Sequence, residues 1–180
     1  IDLGHKQTLR IVNKFTARAV EQRDDWLAAA RVSAPVSGAL KGKRVAIAVD
    51  GGRLRERCPA RHGRRRAKTG HRRYDAPWRE PKLLTIYVLD DQGRAERTFR
   101  PVYDGTMGDC DALFDMCAGY LKALGAHEAN ELICLGDGAR WIWDRVAKLA
   151  TDVGIALGRV RQVIDWCHAV GVLHEIADAR

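Results

Sequence analysis

The stretch "LICLGDGARWIW", Leu132 to Trp143, is an apolar run that stops at an aspartate, turns at a glycine and restarts as a second apolar segment. Its first half is too short for a helix and ends on a turn signal, so it reads as a strand. Its second half reads as the helix that follows. An earlier stretch, "RVAIAVDGG", Arg44 to Gly52, has the same shape: a partly β-branched run closed by Asp50-Gly51-Gly52. Two buried-looking strands thus end on the same solvent-seeking carboxylate, and the fold turns on whether they are neighbours.

Outward from these two, "KLLTIYVLDD" (Lys82 to Asp91) reads as a second strand, "DQG" as a turn and "RTFRPVYDG" (Arg97 to Gly105) as a third strand. From Asp109 to Gly125, residues Ala112, Leu113, Met116, Cys117, Tyr120, Leu121 and Leu124 recur at helical spacing, with Asp109 as N-cap and Gly125 as the stop. "ELICLGD" is then a strand, "ARWIWDRVAKLA" a helix, "VRQVID" a strand and "CHAVGVLHEIADA" a helix. The order is βββαβαβα, an α/β pattern. Residues 1–43 form a helical lead-in, with one or two helices over His5 to Arg31, and 44–180 form the main domain. Strands that alternate with helices are joined by right-handed crossovers and lie parallel. The expected sheet is therefore mixed, antiparallel in its first half and parallel in its second.

The chain of 180 residues, 46% apolar, is long enough for one core. It starts at Ile1 and stops within a helical pattern, so both ends read as cuts in a longer protein. No run reaches the roughly 18 apolar residues of a membrane span, and no secretion signal is present, so the expectation is a cytoplasmic protein without a membrane partner. The five cysteines, Cys58, Cys110, Cys117, Cys134 and Cys167, are odd in number and form no CxxC pair, which favours reduced, buried thiols over disulfides or zinc. The net charge of +8 is concentrated. Residues 53–82 carry twelve Lys and Arg against three Asp and Glu, a balance of +9 that leaves the other 150 residues at −1. Within it, residues 53–77 read as an exposed excursion to which Pro59, Gly63, Gly70 and Pro77 deny regular structure. Arg64, Arg65, Arg66, Arg72 and Arg73 are its candidate DNA contacts, through phosphate and with little sequence preference.

If the strands at 44–50 and 131–137 are parallel neighbours, Asp50 and Asp137 project together from the carboxyl ends, where open α/β sheets place their ligands. Two such charges about 4 Å apart repel by roughly 4 kcal/mol at an effective dielectric near 20, so a cation is expected between them. Hard carboxylate oxygens without nearby histidine and thiol sets suit magnesium or manganese rather than zinc. A pair of such ions is the apparatus of phosphoryl transfer. The plainer alternative is that each Asp-Gly step is only a turn.

The Asp-Gly of "AIAVDGG", the basic stretch running into "WREPKLLTIYVL", the "GDGARWIW" block and the "VIDWCHAV" block resemble, in this order, the catalytic core of bacterial insertion-sequence DDE transposases, the Kra/Lre-like group related to Mutator-like elements. The resemblance runs from about Arg44 to the C-terminus. It implies a ribonuclease H-like fold, a two-metal site for Mg2+ or Mn2+, cleavage and strand transfer of DNA at transposon ends and target, and a homo-oligomer at full length. Asp50 matches the first catalytic acid and Asp137 the second. The family's third acid comes after an insertion beyond the last core strand. Here only Glu175 and Asp178 follow the "DxxH" block, and both read as helix-surface residues. Asp165 and His168 match the family's Asp/Cys-x-x-His feature, either as support for the site or as a strand-to-helix cap. Two other readings stay open: a DNA-binding transposase remnant without activity, and a different nuclease on the same fold.

The tryptophans offer aromatic faces for unpaired bases. Trp141 and Trp143 lie two apart on one helix, so at least one is expected in the core; Trp166 follows Asp165 directly; Trp78 is expected to pack rather than to contact DNA.

Overall fold

A computed structural model describes residues 4–59 and 74–178. One long helix, α1 (His5–Val32), leads into a five-stranded mixed sheet with three further helices. The strands are β1 (Arg44–Gly51), β2 (Lys82–Leu89), β3 (Val102–Thr106), β4 (Glu131–Gly136) and β5 (Val160–Ile164), and the helices are α2 (Cys110–Ala123), α3 (Arg140–Val153) and α4 (Trp166–Asp178). Their spatial order is β3-β2-β1-β4-β5. The β1–β2 and β2–β3 pairs are antiparallel, and β1–β4 and β4–β5 are parallel, the mixed arrangement expected from the sequence.

Strand alternation divides the sheet into two faces. Val45, Ile47 and Val49 of β1, with Leu84, Ile86 and Val88 of β2 and Leu132 and Cys134 of β4, are all buried against the helical layer. From that layer α2 contributes Leu113, Phe114, Cys117 and Leu121, and α3 contributes Ile142, Val146, Leu149 and Val153. The α3 set recurs at steps of three and four, a single apolar stripe that the sheet covers. Asp109 caps α2 by accepting a hydrogen bond from Ala112 N at 2.8 Å. The helix ends where Gly125 takes φ +78°, and the segment before β1 crosses it so closely that a Cβ on Gly125 would lie 2.5 Å from Gly38 N. Leu40 N donates to Leu124 O at the same crossing.

The C-terminal half of α1 is tied down by polar contacts. Arg23 Nη1 lies 2.6 Å from Asp104 Oδ1, Tyr120 OH donates to Asp104 Oδ2 at 2.6 Å, and Trp26 rests on the Tyr120 ring. The N-terminal half leaves Leu9, Val12 and Phe15 exposed. Helix α4 buries no residue, and Val172, Leu173 and Ile176 are exposed on it together with the acids Glu175 and Asp178. Among the described residues no helix is long and apolar enough to cross a membrane.

Four expectations need correction. The third strand does not begin at Arg97: only Val102–Thr106 pairs with β2, because Pro101 brings no N–H to a ladder. The thiols are all free, but only Cys117 and Cys134 are buried; Cys58 and Cys110 are half-buried and Cys167 is exposed. The other two corrections concern Asp50-Gly51-Gly52 and the basic excursion. The strand does not turn there, and the described parts of the excursion, 53–59 and 74–77, are not without regular structure; Gly63 and Gly70 lie outside the described residues. Asp50 pairs with Leu83, Leu54 with Arg79 and Cys58 with Asp75, so each advance of four residues on one strand matches four on the other. The β1–β2 hairpin therefore runs in a single register out to Pro59 and Tyr74. At about 3.4 Å per residue, its arm reaches roughly 27 Å past Gly51. Gly52 N donates to Pro81 O and Glu56 N to Pro77 O, so the backbone that looked unsatisfiable in sequence is paired across the hairpin. Prolines are tolerated because they serve as acceptors.

Candidate functional site

The two Asp-Gly steps that look alike in sequence differ in structure. Gly51 is an ordinary strand residue facing Lys82, whereas Gly138 has φ +92° and makes the real turn from β4 into α3. In the parallel β1–β4 ladder Ala46 faces Ile133 and Ala48 faces Leu135. That ladder ends at Ala48 and Leu135, two residues before Asp50 on one strand and two residues before Asp137 on the other. The β4–β5 ladder pairs Leu135 with Val163 and Gly136 with Ile164, one residue before Asp137 and one residue before Asp165. Asp165 N donates to Gly136 O at 2.9 Å and extends that ladder. Asp50, Asp137 and Asp165 thus each lie within two residues of the last ladder pairs at the carboxyl ends of β1, β4 and β5.

Each uses one carboxylate oxygen on a nearby backbone N–H. Asp50 Oδ1 accepts from Gly51 N at 2.7 Å, Asp137 Oδ1 from Ala139 N at 2.8 Å and Asp165 Oδ1 from Cys167 N at 2.8 Å. The bond at Asp137 orients its carboxylate before the first turn of α3. The bond at Asp165 does the same before α4, so the strand-to-helix cap expected there is present. His168 Nδ1 lies 3.4 Å from Asp165 Oδ2, with both side chains about half exposed. Neither Asp50 nor Asp137 is paired with a cationic side chain among the described residues.

Two carboxylates with open oxygens at one strand edge form a donor set that suits magnesium or manganese, which take one or two carboxylates and complete their shell with water and phosphate oxygens. Among the described residues no group of three or more His, Cys, Asp or Glu side chains is gathered as a metal cluster.

Lys82 and Glu80 were not singled out in the sequence. Lys82 faces Gly51 across the hairpin, and its side chain is only 9% exposed. Its Nζ is 3.8 Å from Glu80 Oε1 and 5.8 Å from the centroid of the Trp141 ring, in the first turn of α3. The signal was the alternation itself: Lys82 precedes Leu84, Ile86 and Val88 on the buried face, where a charged residue is out of pattern. Trp141 packs edge-on against Phe114 at 6.4 Å, and both it and Trp143 are partly buried against the core, flanking the fully buried Ile142. Trp166 is exposed.

Trp78 does not pack into the core. It is 59% exposed on the arm, directly across from Arg55, with the guanidinium carbons of Arg53 and Arg55 at 5.3 and 5.6 Å from its ring centroid. The register carries it four residues beyond Lys82, which faces Gly51 at the end of the covered face. Arg64, Arg65, Arg66, Arg72 and Arg73 lie outside the described residues, between the two strands of the arm. No protein-family model, curated protein or solved structure matches this chain.

Proposed function

We propose that this domain is the catalytic core of a DDE-type DNA transposase, with a ribonuclease H-like fold, that cleaves and joins phosphodiesters at transposon ends with divalent cations. The observation that carries the reading is that the parallel β1–β4 ladder closes two residues before Asp50 and two residues before Asp137, at the carboxyl end of the sheet, where open α/β sheets bind ligands. The mixed five-stranded sheet and the "GDGARWIW" and "VIDWCHAV" blocks around these acids support it.

Asp50 and Asp137 would hold the magnesium or manganese ions. Bound there, such ions supply activation of the attacking hydroxyl and stabilisation of the leaving oxygen. The chain's own residues do the rest. The Ala139 N–H bond keeps Asp137 aimed along the edge, the first turn of α3 walls one side, and Asp165 with His168 adds a carboxylate and places an imidazole able to carry a proton. The basic arm leaves the sheet from the same edge and brings positive charge to a polyanionic substrate.

A second reading, a DNA-holding remnant without activity, is favoured by the lack of a three-residue metal cluster among the described residues. Manganese titration separates the two. The catalytic reading expects saturable Mn2+ binding that Asp50→Asn with Asp137→Asn removes, while DNA binding survives. Absence of binding by the parent, or equal binding by the double variant, leaves only the remnant.

A further inference from the structure

We propose that the stem of the hairpin arm is a grip for the phosphate backbone of duplex DNA, in which Trp78 positions the guanidiniums of Arg53 and Arg55. The inference rests on the nucleic-acid reading above and adds residues to it that lie outside the arginine-rich segment 64–73.

On a two-stranded ribbon in constant register, Arg53 and Arg55 share one face, and Trp78 is their cross-strand neighbour on that face. Both guanidinium carbons lie within 6 Å of one indole centroid, so two like charges are held over a single aromatic ring. Among the described residues neither is paired with a carboxylate; Arg55 spends only Nε, on Ala76 O at 3.2 Å. On the other face the pattern differs, since Arg79 is neutralised by Glu56 at 3.1 Å. Arg79 is thus neutralised on one face, whereas on the other Arg53 and Arg55 are held on an indole with no carboxylate partner among the described residues. A planar guanidinium stacked on a ring keeps its N–H edge for bidentate bonding, and phosphate oxygens match that fork.

The occupant is duplex DNA on grounds of shape and charge. A two-stranded β-ribbon is one of the two elements the major groove admits. The +9 balance of residues 53–82 complements a polyanion. Arg53 lies three residues beyond Asp50, so a duplex gripped by the stem passes the carboxyl edge of β1. Trp78 is a positioning residue here: it adds no charge, and it limits the freedom of the two side chains that do.

The test is fluorescence anisotropy with the whole chain and two duplexes of unrelated sequence, titrated between 50 and 200 mM salt. Each phosphate contact contributes about −0.9 to the slope of log affinity against log salt. Arg53→Ala with Arg55→Ala should make the slope less negative by about 1.8 on both duplexes. Trp78→Ala, with every charge retained, should weaken binding in the same direction, and Trp78→Phe should restore most of it. These positions are exposed, and unchanged melting of each variant checks that the core is intact. If the parent binds with a salt dependence that the double arginine variant leaves unaltered, the grip is wrong and the transposase reading stands. If Trp78→Ala binds like the parent while the arginine variant is impaired, the positioning role fails. If the parent binds neither duplex, both readings fall together.

Discussion

Ala48 and Leu135 close the parallel β1–β4 ladder two residues before Asp50 and two residues before Asp137, and among the described residues neither aspartate is ion-paired with a cationic side chain. Like charges brought close repel, and a divalent cation bound by the two would offset that. In chelator, Asp137→Asn should therefore melt at the same temperature as the parent or above it, since asparagine keeps the oxygen that accepts from Ala139 N. In millimolar Mn2+ the parent should gain stability by mass action and the variant should not. Differential scanning calorimetry with and without the ion checks this; a variant that gains as much as the parent removes the metal site.

Asp104 gathers Arg23, Tyr120 and its neighbour Gly105 N around one carboxylate that is 11% exposed. Desolvation, the Asp104 hydrogen bond and its negative charge, in that order, push the Tyr120 hydroxyl well above its ordinary value, so Tyr120 stays a donor to Asp104 throughout the neutral range. Asp104→Ala leaves the Tyr120 hydroxyl without its acceptor and Arg23 with Asp24 as its remaining carboxylate, and should cost about 2 kcal/mol in urea denaturation, whereas Tyr120→Phe should cost about 1 kcal/mol. Equal losses would mean that the Tyr120 hydrogen bond is all that the carboxylate contributes and that its contact with Arg23 adds nothing.

Removing the cap on α2 tests a feature the sequence already announced. Asp109→Ala leaves Ala112 N without its acceptor and should lower stability by about 1 kcal/mol, or roughly 2–4 °C in melting temperature for a chain of this size. Asp109→Ser should restore most of it.

Burial pushes the Cys117 and Cys134 thiols up to about 12, with desolvation the leading cause in both. The sign follows directly. The unfolded chain releases these protons near the ordinary thiol value of 9.0, whereas the folded chain holds them to about 12. The folded state is thus favoured fully below pH 9 and progressively less as pH climbs towards 12. Melting temperature should fall across that window, and Cys117→Ala with Cys134→Ala should flatten the fall. At pH 8, iodoacetamide should label Cys167 first and reach Cys117 and Cys134 only on unfolding, a sequence that peptide mass mapping reads directly.

Lys82 buries an ammonium against a tryptophan with only a 3.8 Å carboxylate for company. Replacing a poorly paired buried charge by an apolar chain of similar shape is often neutral or stabilising, so Lys82→Met should leave the melting temperature unchanged or raise it. A loss above about 2 kcal/mol would assign the ammonium a structural bond that the Glu80 contact does not explain.

The sequence by itself determined what depends on neighbours within a few residues. The apolar stripe Ile142, Val146, Leu149 and Val153, the Asp109 cap, the Gly125 stop and the alternation in "KLLTIYVL" all follow from local periodicity and backbone preference, and with them the element order. The strand-end positions of Asp137 and Asp165 were legible for the same reason, whereas Asp50 reads as a strand end only because the hairpin that continues past it is invisible to local pattern. Only the tertiary structure decided which strands pair and in what register, because alternation gives each strand two faces and names no partner. The parallel ladder that brings β1 beside β4 just before Asp50 and Asp137 is such a long-range fact. So is the continuation of the hairpin through Asp50-Gly51-Gly52, where the acceptors that rule out a turn, the Pro81 and Pro77 carbonyls, lie some thirty and twenty residues further along the chain. The exposure of Trp78 and the burial of Lys82 follow from that register: it seats Lys82 opposite Gly51 on the covered face, and it carries Trp78 past the edge of the core to where two arginines rather than apolar side chains meet its ring.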